Sequence, residues 1–241
     1  MKANKIFLSN EGTTLTCYTH DISKEMPNVD VRPAVLVFPG GGYYACSDRE
    51  ADPVAMAFFA EGYNAFILRY SVGLHNHISK AIFDANEAIA YLHGHAEELH
   101  IDTDRIAIMG FSAGGHLAAW LCVSGKVKPA AAILGYPCIL PEIGAKLSRE
   151  LPEICGLVDQ TTPPTFIFST RNDDVVPIMH SIQYAAALDR AGVGFEMHIF
   201  RDGIHGLSLA KPFTSSGNDS MVNPDAAKWF ALSVAWLTRV M

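Results

Sequence analysis

Apolar residues fall into two alternating regimes along this chain. Short runs such as AVLVF (34–38) and AAAIL (130–134) are apolar at every position, as expected of strands covered on both faces. Between them lie longer stretches in which apolar residues return every three or four positions, the spacing of a helix with one buried face. The pattern predicts strands over 14–19, 34–38, 65–69, 105–109, 131–134, 165–169 and 195–200. It predicts helices over 52–61, 79–99, 113–123, 179–191 and 225–240. In the 79–99 helix, Ser79 stands where an N-cap belongs, and Ile82, Ala85, Ile89 and Leu92 mark the inward face. In the last helix, Pro224 suits the first turn, and Trp229, Leu232, Trp236 and Val240 should pack on the sheet. This alternation implies an α/β fold on a doubly wound, mostly parallel sheet with helices on both faces. The Pro-rich stretch 138–164 breaks the rhythm. It follows the C-terminal end of a strand, where such sheets bind ligands, and reads equally as a short lid or as a surface excursion.

Composition narrows the function classes without naming one. The chain has 241 residues, 49% hydrophobic and 18% charged, which suits a single globular domain over 1–241. Its net charge of -7 comes from scattered acidic residues, so a basic face for nucleic acid is not expected. The five cysteines (Cys17, Cys46, Cys122, Cys138, Cys155) form no CxxC pair, which argues against a disulfide framework or structural zinc site and for free thiols. The opening MKANKIFLSNEG lacks the apolar core of a secretory leader. No apolar run approaches the roughly 20 residues of a membrane span. The expectation is a cytoplasmic protein with no membrane partner.

The chemistry concentrates at Gly110-Phe111-Ser112-Ala113-Gly114, a GxSxG pentapeptide between the predicted strand RIAIM and the predicted helix GHLAAWLCV. That strand–turn–helix setting is what a nucleophile elbow requires. Small flanking residues permit the sharp turn, and the helix N-terminus favours developing negative charge. A serine hydroxyl needs an adjacent base, and in this arrangement a carboxylate and then a histidine follow in chain order. Of ten histidines, His205 alone lies on a loop after the last predicted strand, and it is the expected base. The acid should follow the 165–169 strand, where Asp173 and Asp174 adjoin. The spacing Asp-x-x-Val-Pro favours Asp173 and leaves Asp174 as a turn or N-cap residue. Upstream, Pro39-Gly40-Gly41-Gly42-Tyr43 follows a strand where esterases carry an oxyanion loop. Backbone N–H donors are expected from Ala113 and from Gly41 or Gly42.

Beyond the pentapeptide, the long stretches PGGGYYACSDREADPVAMAFFAEGYNAFILRYSV and DANEAIAYLHGHAEELHIDTDRIAIMGFSAGGHLAAW carry a more specific pattern. With AILGYP, TPPTFIFSTRNDDVVP and AGVGFEMHIFRDGIHGLSL, they cover most of 34–209. The chain resembles the acetyl-xylan-esterase-like branch of the α/β-hydrolases, the bifunctional feruloyl and acetyl xylan esterases (BD-FAE-like). The resemblance implies an α/β-hydrolase fold with a short cap and a triad at Ser112, Asp173 and His205. It further implies hydrolysis of small carboxylic esters, above all removal of acetyl groups from sugars or acetylated oligosaccharides, without metal or organic cofactor. Two features depart from it. The stretch after Tyr136-Pro137 is short for these esterases, and Pro39 replaces the histidine of HGGG-type lipases. An acyl-peptide or aminopeptidase-like hydrolase and a non-catalytic binding protein are the alternatives. A homo-oligomer is left open.

Overall fold

The continuously apolar runs become the central strands of one eight-stranded sheet in a computed structural model that describes all 241 residues. The strands are β1 (Lys2–Phe7), β2 (Thr14–Thr19), β3 (Arg32–Phe38), β4 (Asn64–Arg69), β5 (Ile101–Phe111), β6 (Ala131–Gly135), β7 (Thr165–Thr170) and β8 (Phe195–Phe200). They lie in the order β1-β2-β4-β3-β5-β6-β7-β8. β2 is antiparallel to both β1 and β4, and β3 to β8 are all parallel. Six helices accompany them: α1 (Asp52–Ala60), α2 (Ile78–Gly94), α3 (Ala96–Leu99), α4 (Ser112–Ser124), α5 (Met179–Arg190) and α6 (Lys228–Val240).

The two-residue repeat of a strand explains why the runs contain no polar position. In β3, Leu36 and Phe38 join the apolar cluster beneath α2, α4 and α5, while Val35 and Val37 join the one beneath α1 and α6. Each fully buried side chain of this size contributes roughly 1.5–3 kcal/mol. On the second face, Trp229 is wholly buried, stacked on Phe168 at 4.4 Å, and its indole N–H donates to the Ser208 carbonyl at 2.9 Å. Trp229 and Trp236 are core, as their spacing implied.

The seven expected strands and five expected helices are present, with differences that have local causes. β1 was not expected. KANKIF is exposed along almost its whole length, so no burial pattern marks it, and it exists as an edge strand through its ladder with β2. The expected 79–99 helix breaks at His95, giving α2 and α3, and α3 ends on left-handed His100 (φ 52°). The N-cap of α2 is His77, whose Nδ1 accepts the Ser79 N–H at 3.2 Å, rather than Ser79 itself. α6 starts at Lys228, past Pro224, because Asn223 caps a separate turn by accepting the N–H groups of Asp225 and Ala226. Val240 faces outward, and Ser233 and Leu237 take the inward positions between and beside the tryptophans. No helix is long and apolar enough to cross a membrane.

Because β3 and β5 to β8 run parallel, their C-terminal ends open on one rim. The loops following these strands therefore meet, although they are distant in sequence.

Candidate active site

The elbow is a backbone constraint before it is a chemical one. β5 ends at Phe111 and α4 begins at Ser112, which is held at φ 51°, a left-handed conformation costly for a residue with a side chain. The glycines on either side make this turn possible. A Cβ on Gly110 would lie 2.2 Å from the Gly114 carbonyl oxygen, and one on Gly114 would lie 2.2 Å from the Phe38 carbonyl oxygen. Strand, turn and helix thus approach backbone to backbone, and the Ser112 side chain is pushed toward the rim.

His205 reaches that side chain from the loop after β8. Its Nε2 lies 2.8 Å from Ser112 Oγ, and its Nδ1 lies 2.8 Å from Asp173 Oδ2. With the Nδ1 hydrogen donated to the carboxylate, Nε2 is left to accept the serine proton. Asp173 has a side chain only 2% exposed, and its other oxygen accepts the N–H groups of Val175 (2.9 Å) and Val176 (2.8 Å). Its neighbour does something different. Asp174 Oδ1 accepts the backbone N–H of His205 at 3.0 Å, and this bond holds its carboxyl below the usual carboxylate range. The expectation of Asp174 as a turn or cap residue is therefore corrected: Asp173 itself closes the turn, and Asp174 anchors the histidine loop. The two carboxylates share one loop and hold His205 by ring and by backbone respectively.

The glycine loop lies beside Ser112. Gly41 (φ 125°) and Gly42 (φ 63°) both line the cavity, and neither N–H is taken by a backbone carbonyl or a side chain. Ala113 is fully buried behind the serine, and its N–H belongs to the first turn of α4, where no intrahelical acceptor exists. The expected donors thus lie on two separate elements, both adjoining Ser112.

The cavity measures about 560 Å³, and the 138–164 stretch supplies one wall of it through Cys138, Ile143, Lys146 and Leu147. This wall is fastened. His180 Nδ1 accepts the N–H groups of Ile139 (2.9 Å) and Leu140 (3.0 Å), and burial lowers the His180 imidazole below its ordinary value. Arg149 donates to the carbonyls of Gly73 (2.6 Å), Asn76 (2.7 Å) and Tyr43 (3.1 Å). Cys138 Sγ stands 3.6 Å from Ser112 Oγ, and burial pushes its thiol up to about 12, so it remains a neutral neighbour of the hydroxyl. All five cysteines are free. No group of three or more His, Cys, Asp or Glu side chains is arranged to hold a metal ion.

No motif marks Cys138 as a neighbour of the serine, nor two buried groups nearby, Glu50, which lines the cavity, and Tyr136. Glu50 reads as one more charge at the start of a helix, and Tyr136 as a residue following a strand. Only their tertiary partners distinguish them.

Comparison with known proteins adds to this geometry. Residues 21–138 match the BD-FAE family, and residues 153–233 match the prolyl oligopeptidase family. The chain is 34% identical over 226 residues to endo-1,4-beta-xylanase B of Butyrivibrio fibrisolvens, a match covering 79% of this chain and 35% of that protein. It is 27% identical over 203 residues to the acetylxylan esterase of Xylanibacter ruminicola, covering 75% of this chain and 42% of that one. The chain thus spans less than half the length of these curated relatives. Among solved structures, MGS-M1, an alpha/beta hydrolase enzyme from a Medee basin deep-sea metagenome library, superposes with a TM-score of 0.95. It is 46% identical, with 100% of this chain and 98% of that chain covered.

Proposed function

Given that this chain belongs to the α/β-hydrolases, we propose that it is a carboxylesterase of the serine type that removes acetyl or other short acyl groups from small esters, including acetylated sugars, through Ser112, His205 and Asp173. The observation that carries the reading is the chain of two 2.8 Å hydrogen bonds from Ser112 Oγ through His205 to Asp173. Ser112 attacks the ester carbonyl as His205 Nε2 takes its proton, and Asp173 steadies the resulting imidazolium. The negative charge forming on the carbonyl oxygen is met by the free N–H groups of Gly41 or Gly42 and of Ala113. The alcohol departs with the proton held on His205. Water, deprotonated by the same nitrogen, then releases the acid from the acyl-enzyme. The chemistry places no demand on a metal or organic cofactor.

Support for the sugar-ester reading comes from the acetylxylan esterase relative and from the partly apolar cavity, whose Ile143, Leu147 and Val176 suit a short acyl group. Ser112→Ala should lower turnover of p-nitrophenyl acetate by at least about 10⁴-fold in a folded protein; wild-type turnover would remove Ser112 from the reaction. A panel of acetylated sugars and of esters with lengthening acyl chains tests the substrate class. Preference for long acyl chains would overturn it. The prolyl oligopeptidase match over 153–233 supports a second reading, hydrolysis of peptide or acyl-peptide amides. Faster cleavage of an aminoacyl anilide than of the matching ester would favour that reading.

A further inference from the structure

The segment between the glycine loop and α1 sends a buried carboxylate back beneath the site. Glu50 is 3% exposed and both its oxygens accept hydrogen bonds. Oε2 takes the N–H of Gly40 at 2.8 Å, and Oε1 takes the hydroxyl proton of Tyr136 at 2.6 Å. The Tyr136 hydroxyl in turn accepts the backbone N–H of Ser208 at 2.9 Å, so its own proton is committed to Glu50. Burial, with the Glu50 charge added, pushes this phenol well above its ordinary value and keeps that proton in place.

The three segments joined in this way are the ones the proposed reaction uses. Gly40 immediately precedes Gly41 and Gly42. It packs so closely that a Cβ there would lie 2.6 Å from Glu50 Oε2 and 3.1 Å from Ser112 Cβ. The Tyr136 ring meets the His205 ring edge-on, with centroids 4.9 Å apart. Ser208 continues the loop that carries His205. The neighbouring Arg49 fastens the same loop from the other side, donating from Nη1 to the Gly206 carbonyl at 2.8 Å and accepting the Ser208 hydroxyl on its own carbonyl.

We propose that Glu50 is a positioning residue that, through Gly40 and Tyr136, sets the oxyanion loop and the His205 loop relative to Ser112. The inference rests on the acyl-transfer reading above. Burying a carboxyl group beneath an oxyanion site is costly unless it is hydrogen-bonded, and one donor on each oxygen offsets that cost. The arrangement costs little in the ground state, when no oxyanion exists. It acts in the transition state by holding the Gly41 and Gly42 N–H groups and the imidazole at their distances, since preorganised donors need not move as charge develops. Loss of Glu50 should therefore appear in kcat and leave KM little changed.

The test is steady-state kinetics of Glu50→Ala, Glu50→Gln and Tyr136→Phe on p-nitrophenyl acetate, with Ser112→Ala in parallel and folding checked by circular dichroism. Glu50→Ala should lose about 10²-fold in kcat with KM within about threefold, comparable to losing one oxyanion donor. Glu50→Gln should recover to within about tenfold of wild type, because its amide oxygen still accepts the Gly40 N–H. Tyr136→Phe should lose about tenfold in kcat alone, and adding it to Glu50→Ala should cost little more, as expected for groups in one network. Wild-type kcat in folded Glu50→Ala, or losses confined to KM, would overturn the proposal. If Glu50→Ala does not fold, Tyr136→Phe decides it on the same criterion. Normal activity in Ser112→Ala would instead overturn the underlying reaction, so the two failures are distinguishable.

Discussion

Replacing Asp173 by asparagine separates the two adjacent carboxylates at nearly constant shape. The asparagine oxygen can still accept the Val175 and Val176 N–H groups, which lie 2.9 and 2.8 Å from the native carboxylate, so the loop keeps its turn. The amide NH₂ then faces His205 Nδ1 where Asp173 Oδ2 accepted a proton at 2.8 Å. Two donors cannot share that contact, so the imidazole carries its proton on Nε2 and presents N–H to Ser112 Oγ instead of a lone pair. The base is lost without being displaced. In serine proteases the same exchange of tautomer costs about 10⁴-fold in kcat, or about 5 kcal/mol at 1.36 kcal/mol per decade. Asp174→Asn keeps an acceptor for the His205 N–H and leaves the imidazole facing Asp173, so its loss should stay below about tenfold. The assay is kcat for p-nitrophenyl acetate in both variants, with thermal melts showing both folded. A crippled Asp174→Asn beside a near-normal Asp173→Asn would refute the assignment and the geometry behind it.

Two further outcomes follow from the elbow and its surroundings. Gly114→Ala forces a Cβ to 2.2 Å from the Phe38 carbonyl oxygen and 2.4 Å from that of Pro39. It should destabilise the fold by about 3 kcal/mol or more, seen as a melting point lower by about 6 °C or more; an unchanged melt would show that backbone contact is not what fixes this glycine. His116 is fully buried with its Nδ1 2.8 Å from the Tyr43 hydroxyl, and burial pushes its imidazole down to about 4. The unfolded chain binds this proton more readily than the folded one. The stability contribution is therefore complete above the unfolded value near 6.5 and is lost as pH falls from there toward 4, by about 3 kcal/mol in all. Urea unfolding at pH 7 and pH 4 should show His116→Gln with a correspondingly flatter dependence than wild type. Equal slopes would mean that the imidazole is charged inside the fold.

What could be read from the chain differs by element for physical reasons. The central strands were legible because parallel strands covered on both faces need apolar residues at every position, as in AVLVF and AAAIL. The edge strand β1 was illegible because an exposed ladder requires only backbone, and KANKIF carries no hydrophobic pattern. Helix ends failed where a side chain acted at a distance that no propensity encodes. His77 caps α2 in place of Ser79, and Asn223 stops the chain short of α6.

The sequence by itself pointed to the candidate nucleophile, the candidate base and the glycine loop. Each of these is a local covenant between residue type and backbone: a GxSxG turn tolerates no Cβ at its ends, and paired glycines leave N–H groups free. It favoured Asp173 over Asp174 by the Asp-x-x-Val-Pro spacing alone, since adjacent residues of the same kind differ only in where the chain points them. Tertiary structure divided the pair, giving Asp173 to the imidazole and Asp174 to the backbone of the same loop. It also brought Glu50 and Tyr136 together across 86 positions beneath the glycine loop. A hydrogen bond between residues so far apart leaves no periodicity and no motif in the sequence, because only the packing of the sheet sets their separation.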